Sequence, residues 1–186
     1  MPRIAPLEAP FEPPVAQLLG QMMPAGVEPI ALFRTFARNP AMTEAMRGWG
    51  SYELGRHLSV GRREREIVID RTTARRGCEY EWGVHVAFFA AAVGLDDEQI
   101  RSLTHGGPGD ACWTDDRDRL LLELVDSLCD TADVADELWA RLTEEFTDPQ
   151  LLDLQLLCGW YHAISFVARA SRVPLEPGAP TFATYA

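Results

Sequence analysis

The chain contains no lysine: all 17 of its basic residues are arginine. That absence excludes Schiff-base chemistry and a phosphate-binding P-loop, both of which need a lysine amine. There is no CxxC pair. The four cysteines, Cys78, Cys112, Cys129 and Cys158, are widely scattered and read as free thiols rather than a disulfide framework. No alternating β pattern and no Asn-Gly hairpin signal appears, so the strands of a sheet have nothing to start from. The N-terminus lacks an apolar signal core, and no run is expected to reach membrane-spanning length. The expected location is the cytoplasm. Cations are also scarce relative to anions. A formal net charge of -11 argues against nucleic acid or an anionic membrane as partner.

What is present is apolar residue in helical spacing. At 186 residues and 47% hydrophobic, the chain has enough material for one domain with a sizeable core. Pro2, Pro6, Pro10, Pro13 and Pro14 make residues 1–14 an extended arm, either a free tail or an arm lying on a neighbouring subunit. Residues 15–172 read as a single helical domain, and 173–186, with Pro174, Pro177 and Pro180, as an irregular tail. The fold class is all-α. Apolar-periodic stretches cover 15–23, 28–38 and 40–55. Further helices are expected over 60–76 (capped by Ser59, ended by Gly77), 78–93 (closed by Gly94) and 96–103. Three more follow, over 114–129 (capped by Thr114), 134–146 and 151–170, the last opened by Asp148-Pro149. The 149–170 helix is apolar nearly all round and is expected at the centre of the domain or against another subunit. A homo-oligomer is the expectation, a trimer or a multiple of it, with a dimer as the fallback.

Chemistry concentrates in Glu66 and in Cys78-Glu79-Tyr80-Glu81-Trp82-Gly83-Val84-His85. Cys78, Glu81 and His85 recur at i, i+3 and i+7, which share one helix face. Cys78 and His85 are roughly 10 Å apart along the axis, so any relay between them passes through Glu81 or a group from another helix. Cys78 sits at a helix start, where free N–H groups favour a thiolate, while burial or the neighbouring carboxylates oppose it. On that placement Cys78 is expected to be the fastest of the four thiols to be alkylated. Glu66 shares a face with Ile69 and Thr73; Arg62, Arg63 and Arg65 offer the alternative of a salt-bridged surface carboxylate. A metal site from Glu66, Glu81 and His85 is not expected, because di-iron bundles use Glu-x-x-His twice and this chain has Glu-x-x-x-His once. Tyr80 and His162 are added as candidate substrate-binding residues, although a lone histidine on an apolar helix is more often a hydrogen-bonded core residue.

The run Arg63-Glu64-Arg65-Glu66-Ile67-Val68-Ile69, then Gly77-Cys78 to His85, then Ala91-Ala92-Val93-Gly94-Leu95, resembles the carboxymuconolactone decarboxylase / AhpD-like superfamily. The resemblance covers about residues 45–105 and, more loosely, the C-terminal third. It implies an all-helical fold assembled into trimers or hexamers, and no cofactor. In AhpD-type alkylhydroperoxidases a Glu is followed after eleven residues by Cys-x-x-Cys-x-x-x-His. Glu66, Cys78 and His85 match the Glu, the first Cys and the His; Glu81 stands where the second Cys should be. In the family that second cysteine attacks the peroxide, assisted by the Glu and His, and the first resolves the disulfide. The decarboxylase branch lacks the cysteine pair and keeps the histidine, and arginines there suit a carboxylate substrate.

Three functional expectations follow, with Glu66, Cys78, Glu81 and His85 as site residues. One is a peroxidase-like oxidoreductase using Cys78 as a single reactive thiol on a peroxide. The second is a lyase or decarboxylase working by Glu/His acid–base chemistry on a small carboxylate or lactone. The third is a non-catalytic ligand-binding oligomer.

Overall fold

The computed structural model describes residues 1–186 and contains nine α-helices and no strand. In chain order these are α1 Pro13–Gly20, α2 Ala31–Phe36, α3 Pro40–Glu53, α4 Arg62–Arg75, α5 Glu79–His85, α6 Asp97–His105, α7 Asp116–Thr131, α8 Asp136–Glu145 and α9 Asp148–Ser171. A π-helical turn (Val86–Ala90) and a 3-10 turn (Ala91–Val93) continue α5. A last 3-10 turn spans Phe182–Tyr185.

The centre of the domain is α4. Every residue from Arg65 to Thr73 is buried, because α5, α6, α7 and α9 pack round it on all sides. Its apolar members Ile67, Val68 and Ile69 join Trp82, Leu121, Leu124, Leu154 and Leu157 in the main core. The long helix α9 is therefore a neighbour of the centre rather than the centre. One stripe of it faces solvent, with Leu152, Leu156 and Phe166 between half and two-thirds exposed. At 24 residues α9 is long and apolar enough to cross a membrane, which corrects the expectation about run length; half of its most apolar window is buried in this fold.

The helix ends follow local chemistry, with small corrections. Ser59 does not cap α4: Gly61 takes the N-cap position and its N–H is held by Glu64 at 2.6 Å, while Ser59 donates through N–H and hydroxyl to Asp153. Asp115 rather than Thr114 caps α7, and Thr147 precedes α9 so that Pro149 falls in its first turn. The proline-rich arm ends at Glu12, since Pro13 and Pro14 open α1. It lies on its own chain. The Arg3 and Leu7 amides donate to the Ser171 and Arg34 carbonyls at 2.8 and 3.2 Å, and Arg38 donates to the Ala5 carbonyl at 2.7 Å.

The C-terminal tail is also docked. Phe182 and Tyr185 meet Trp82 edge to face at 5.1 and 5.9 Å, and the Phe182 amide donates to Glu79. Gly83 makes room for it, since a Cβ there would stand 2.5 Å from the Pro180 carbonyl oxygen. Ala at a helix interior normally gains about 1 kcal/mol over Gly. Here the clash is expected to outweigh that gain, so Gly83→Ala should lower stability by about 1–3 kcal/mol and open the tail to carboxypeptidase. Chemical denaturation together with timed digestion checks both effects.

Candidate active site

Gly77 sets the site's geometry. At φ 62° it turns the chain out of α4. The Cys78 amide then donates back to the Thr73 carbonyl and the Gly77 amide to that of Ala74, both at 2.8 Å. This is the paired-bond end that a left-handed glycine permits. The reversal lays α5 along α4 and brings His85 onto Glu66 across 19 residues of sequence.

His85 Nδ1 and Glu66 Oε2 are 2.8 Å apart, and the other Glu66 oxygen accepts from Arg65 Nε at 2.6 Å. On its far side His85 Nε2 lies 3.0 Å from the Tyr161 hydroxyl and 3.6 Å from Glu81 Oε1. Phe89 closes over the pair, 5.3 Å from the imidazole and 5.3 Å from the Arg65 guanidinium. Glu66 has no exposed surface, and Arg65, Glu81 and His85 are all buried. Glu66 is thus salt-bridged, but in the core and not on the surface.

Burial disfavours the imidazolium, yet the charges and hydrogen bonds of Glu66 and Glu81 outweigh it and raise the His85 pKa from 6.5 to about 10. Burial likewise opposes the Glu66 carboxylate, and His85 with Arg65 overcomes it, so its pKa falls below the ordinary value. At neutral pH the centre is therefore an Arg65–Glu66–His85 chain of alternating charge. One turn further on, Asp70 is fully enclosed with both oxygens unpartnered; burial and the Glu66 charge push it well above the carboxylate range, so it is neutral. Glu53 on α3 is also enclosed, and burial with the nearby Asp153 charge raises it to about 7.

Glu81, His85 and Tyr161 form part of the wall of a cavity of about 550 Å³. Fifteen of its 22 lining residues are hydrophobic, among them Phe33, Phe36, Phe88 and Trp160, so it suits a ligand with an apolar body. Arg47 is the one arginine in that wall.

Of the residues expected from sequence, Glu66, Glu81 and His85 come together. Cys78 does not join them at the cavity. It has no exposed surface and packs in a separate apolar cluster with Tyr80, Val84, Ile164 and Ala168. Burial raises its thiol pKa despite the helix-start amides. Tyr80 lies outside the cavity wall and ties elements together: its hydroxyl donates to Glu176 at 2.5 Å and accepts from the Leu32 amide at 2.9 Å. His162 is elsewhere, 3.2 Å from Cys129. Tyr161, Arg65, Asp70 and Glu53 were missed. Tyr161 had a signal, since it falls on the buried stripe Leu154, Leu157, Tyr161, Ile164 and Ala168.

No protein-family model and no curated protein matches the sequence. Solved structures do. An uncharacterized peroxidase-related protein from Ralstonia eutropha JMP134, described as an alkylhydroperoxidase AhpD core, superposes with a TM-score of 0.79 at 16% identity, over 94% of this chain and 93% of that one. A peroxidase-related protein from Silicibacter sp. TM1040, also uncharacterized, gives 0.70 at 19% identity over 96% of both chains. A protein of unknown function from Agrobacterium tumefaciens, a candidate AhpD antioxidant-defence protein, gives 0.68 at 18% over 76% of this chain and 94% of that one. The fold is AhpD-like. The all-α architecture expected from the sequence is that of this group.

Two measurements follow from the site. Because the folded pKa of His85 lies above the free value of 6.5, its stabilisation is complete below that pH and drains away as pH rises toward about 10. Glu53 acts on the acid side, between its ordinary value of 4.5 and about 7. Above pH 7 His85 should therefore contribute a fall in stability of up to about 1.4 kcal/mol per pH unit, with buried Asp70 adding in the same direction, and His85→Gln should make the slope in denaturation curves shallower. Native alkylation followed by mass spectrometry should label Cys112, which is partly exposed, before Cys78, reversing the order expected from sequence.

Proposed function

We propose that this AhpD-like chain is an acid–base lyase of the carboxymuconolactone decarboxylase kind, acting on a small carboxylate or lactone with an apolar body. The observation that carries the reading is the placement of His85. Its Nδ1 is fixed by Glu66 and its Nε2 lies beside Glu81 and Tyr161, and His85, Glu81 and Tyr161 border an apolar cavity. With a pKa of about 10, His85 is protonated at neutral pH and is a proton donor rather than a base. Arg47 in the cavity wall, which pairs with Glu44 at 2.7 Å, is the cation that a substrate carboxylate would recruit. Loss of carbon dioxide leaves an electron pair on the substrate. The His85 proton quenches it, and solvent returns the proton afterwards. Glu81 has one oxygen buried and unpartnered, an acceptor available for a substrate proton when a lactone is rearranged.

A second reading, a peroxidase-like oxidoreductase using Cys78, is favoured by the solved structures described as peroxidase-related. The buried, high-pKa thiol supports it less well than the acid–base reading. Under either reading the protein is proposed to work in the cytoplasm as a homo-oligomer whose contact covers the exposed stripe of α9.

Assay on a carboxylated muconolactone and on an organic hydroperoxide with a dithiol reductant separates the two. His85→Gln and Glu81→Gln are expected to lower lactone turnover by about 10²–10⁴-fold, with Cys78→Ala close to wild type. Hydroperoxide turnover that Cys78→Ala abolishes, with no lactone turnover in the wild type, would overturn the acid–base reading.

A further inference from the structure

Three chemically soft side chains outside the candidate active site converge where the C-terminal end of α7 meets α9. Cys129 lies in the last turns of α7, and Cys158 and His162 lie one turn apart on α9. One donor atom from each, the two sulfurs and an imidazole nitrogen, fall within 4.8 Å of one another. Cys129 Sγ and His162 Nε2 are 3.2 Å apart. Cys158 is almost fully buried, and the other two are partly exposed, so the cluster has a buried floor and a solvent side.

We propose that Cys129, Cys158 and His162 bind a divalent cation of the zinc class. The donor set is decisive: two thiolates and one imidazole suit zinc, whereas calcium and magnesium take oxygen ligands. The i,i+4 spacing of Cys158 and His162 places both donors on one helix face. Bond lengths of about 2.3 Å to sulfur and 2.0 Å to nitrogen give a tetrahedral sulfur–nitrogen edge of roughly 3.5 Å. The observed 3.2 Å needs to open by a few tenths of an ångström. Outer contacts are in place: Thr72 donates to Cys158 Sγ at 3.4 Å, and Arg76 donates to the Cys129 carbonyl at 3.2 Å with its Nε otherwise unpartnered. Three protein ligands leave a fourth position for water on the solvent side. Binding replaces two thiol protons and ties α7 to α9.

The test titrates reduced full-length protein with Co²⁺ as a spectroscopic probe and then with Zn²⁺. One cobalt per chain should bind with tetrahedral bands and a thiolate-to-cobalt charge-transfer band, and zinc should displace it. Cys129→Ser and His162→Ala should each weaken zinc binding by about a hundredfold or more; Cys112→Ser should not. Circular dichroism checks that each variant folds. Should Cys129→Ser fail to fold, His162→Ala decides alone, because that side chain is partly exposed. Absence of a thiolate–cobalt band overturns the site, as does a band that His162→Ala leaves unchanged. A Cys129–Cys158 disulfide that forms in air, with no cobalt band after its reduction, also overturns it and makes the pair a redox couple instead.

Discussion

Everything in the site depends on one buried chain of charge, Arg65 to Glu66 to His85. Isolated, each of these groups is expensive to enclose; the enclosure holds because each is paired and hydrogen-bonded. Removing one member of such a chain strands its partner, typically at about 3–5 kcal/mol. The chain also explains its neighbour. Glu66 and Asp70 stand one turn apart on the same buried helix, yet only Glu66 has cations to hold its charge. Asp70 has no hydrogen-bonded partner, and burial with the Glu66 charge outweighs the help of the more distant His85, so it stays protonated. Two carboxyl groups of the same helix are thus driven to opposite states by what touches them.

Position 81 decides what this arrangement can do. A cysteine there would place a sulfur beside the imidazole; glutamate places a second carboxylate there, which adds to the larger effect of Glu66 in keeping His85 protonated. The remaining motif thiol cannot compensate. Helix-start stabilisation of a thiolate is worth about 0.3–1 kcal/mol, while full burial can move a pKa by several units. At Cys78, enclosed between α2, α5 and α9, burial wins. Chemistry therefore moves from sulfur to protons.

Much of this was legible from spacing, and the rest was not for reasons that can be named. Glu66, Gly77, Glu81 and His85 belong to two consecutive helices joined by one glycine, so local rules bring them together. Tyr161 reaches His85 across 76 residues, and no local rule anticipates that. On sequence alone its neighbour His162 stands out instead, because histidine is the more obvious chemical group. Successive helix residues point about 100° apart, however, so only one of the two can face the site. The buried stripe of α9 selects Tyr161. Three arginines crowd one turn, and spacing alone leaves open which of them pairs with Glu66 and whether inside or at the surface; Arg63 reaches solvent while pairing with Asp118, whereas Arg65 turns inward under Phe89. Cap positions shift by one or two residues from those the spacing suggests; Ser59, for one, is drawn off by Asp153, which is 94 residues away in sequence.

The π-helical turn from Val86 to Ala90 begins at the residue after His85, and helical periodicity gives no warning of it. Such turns recur at functional sites. An added residue in the turn changes the direction of every side chain that follows. Here Phe89 lies over His85 and Arg65, and Phe88 stands more than half exposed at the cavity. A regular continuation of α5 would carry the two rings to other positions, leaving the charged chain without its apolar cover. The cover matters because the cavity wall must be dry for a charge pair beneath it to keep its strength. The polar core and the apolar pocket are accordingly one construction: α4 supplies the charges, α5 and its π turn supply the imidazole and its lid, and α9 closes the far side with Tyr161.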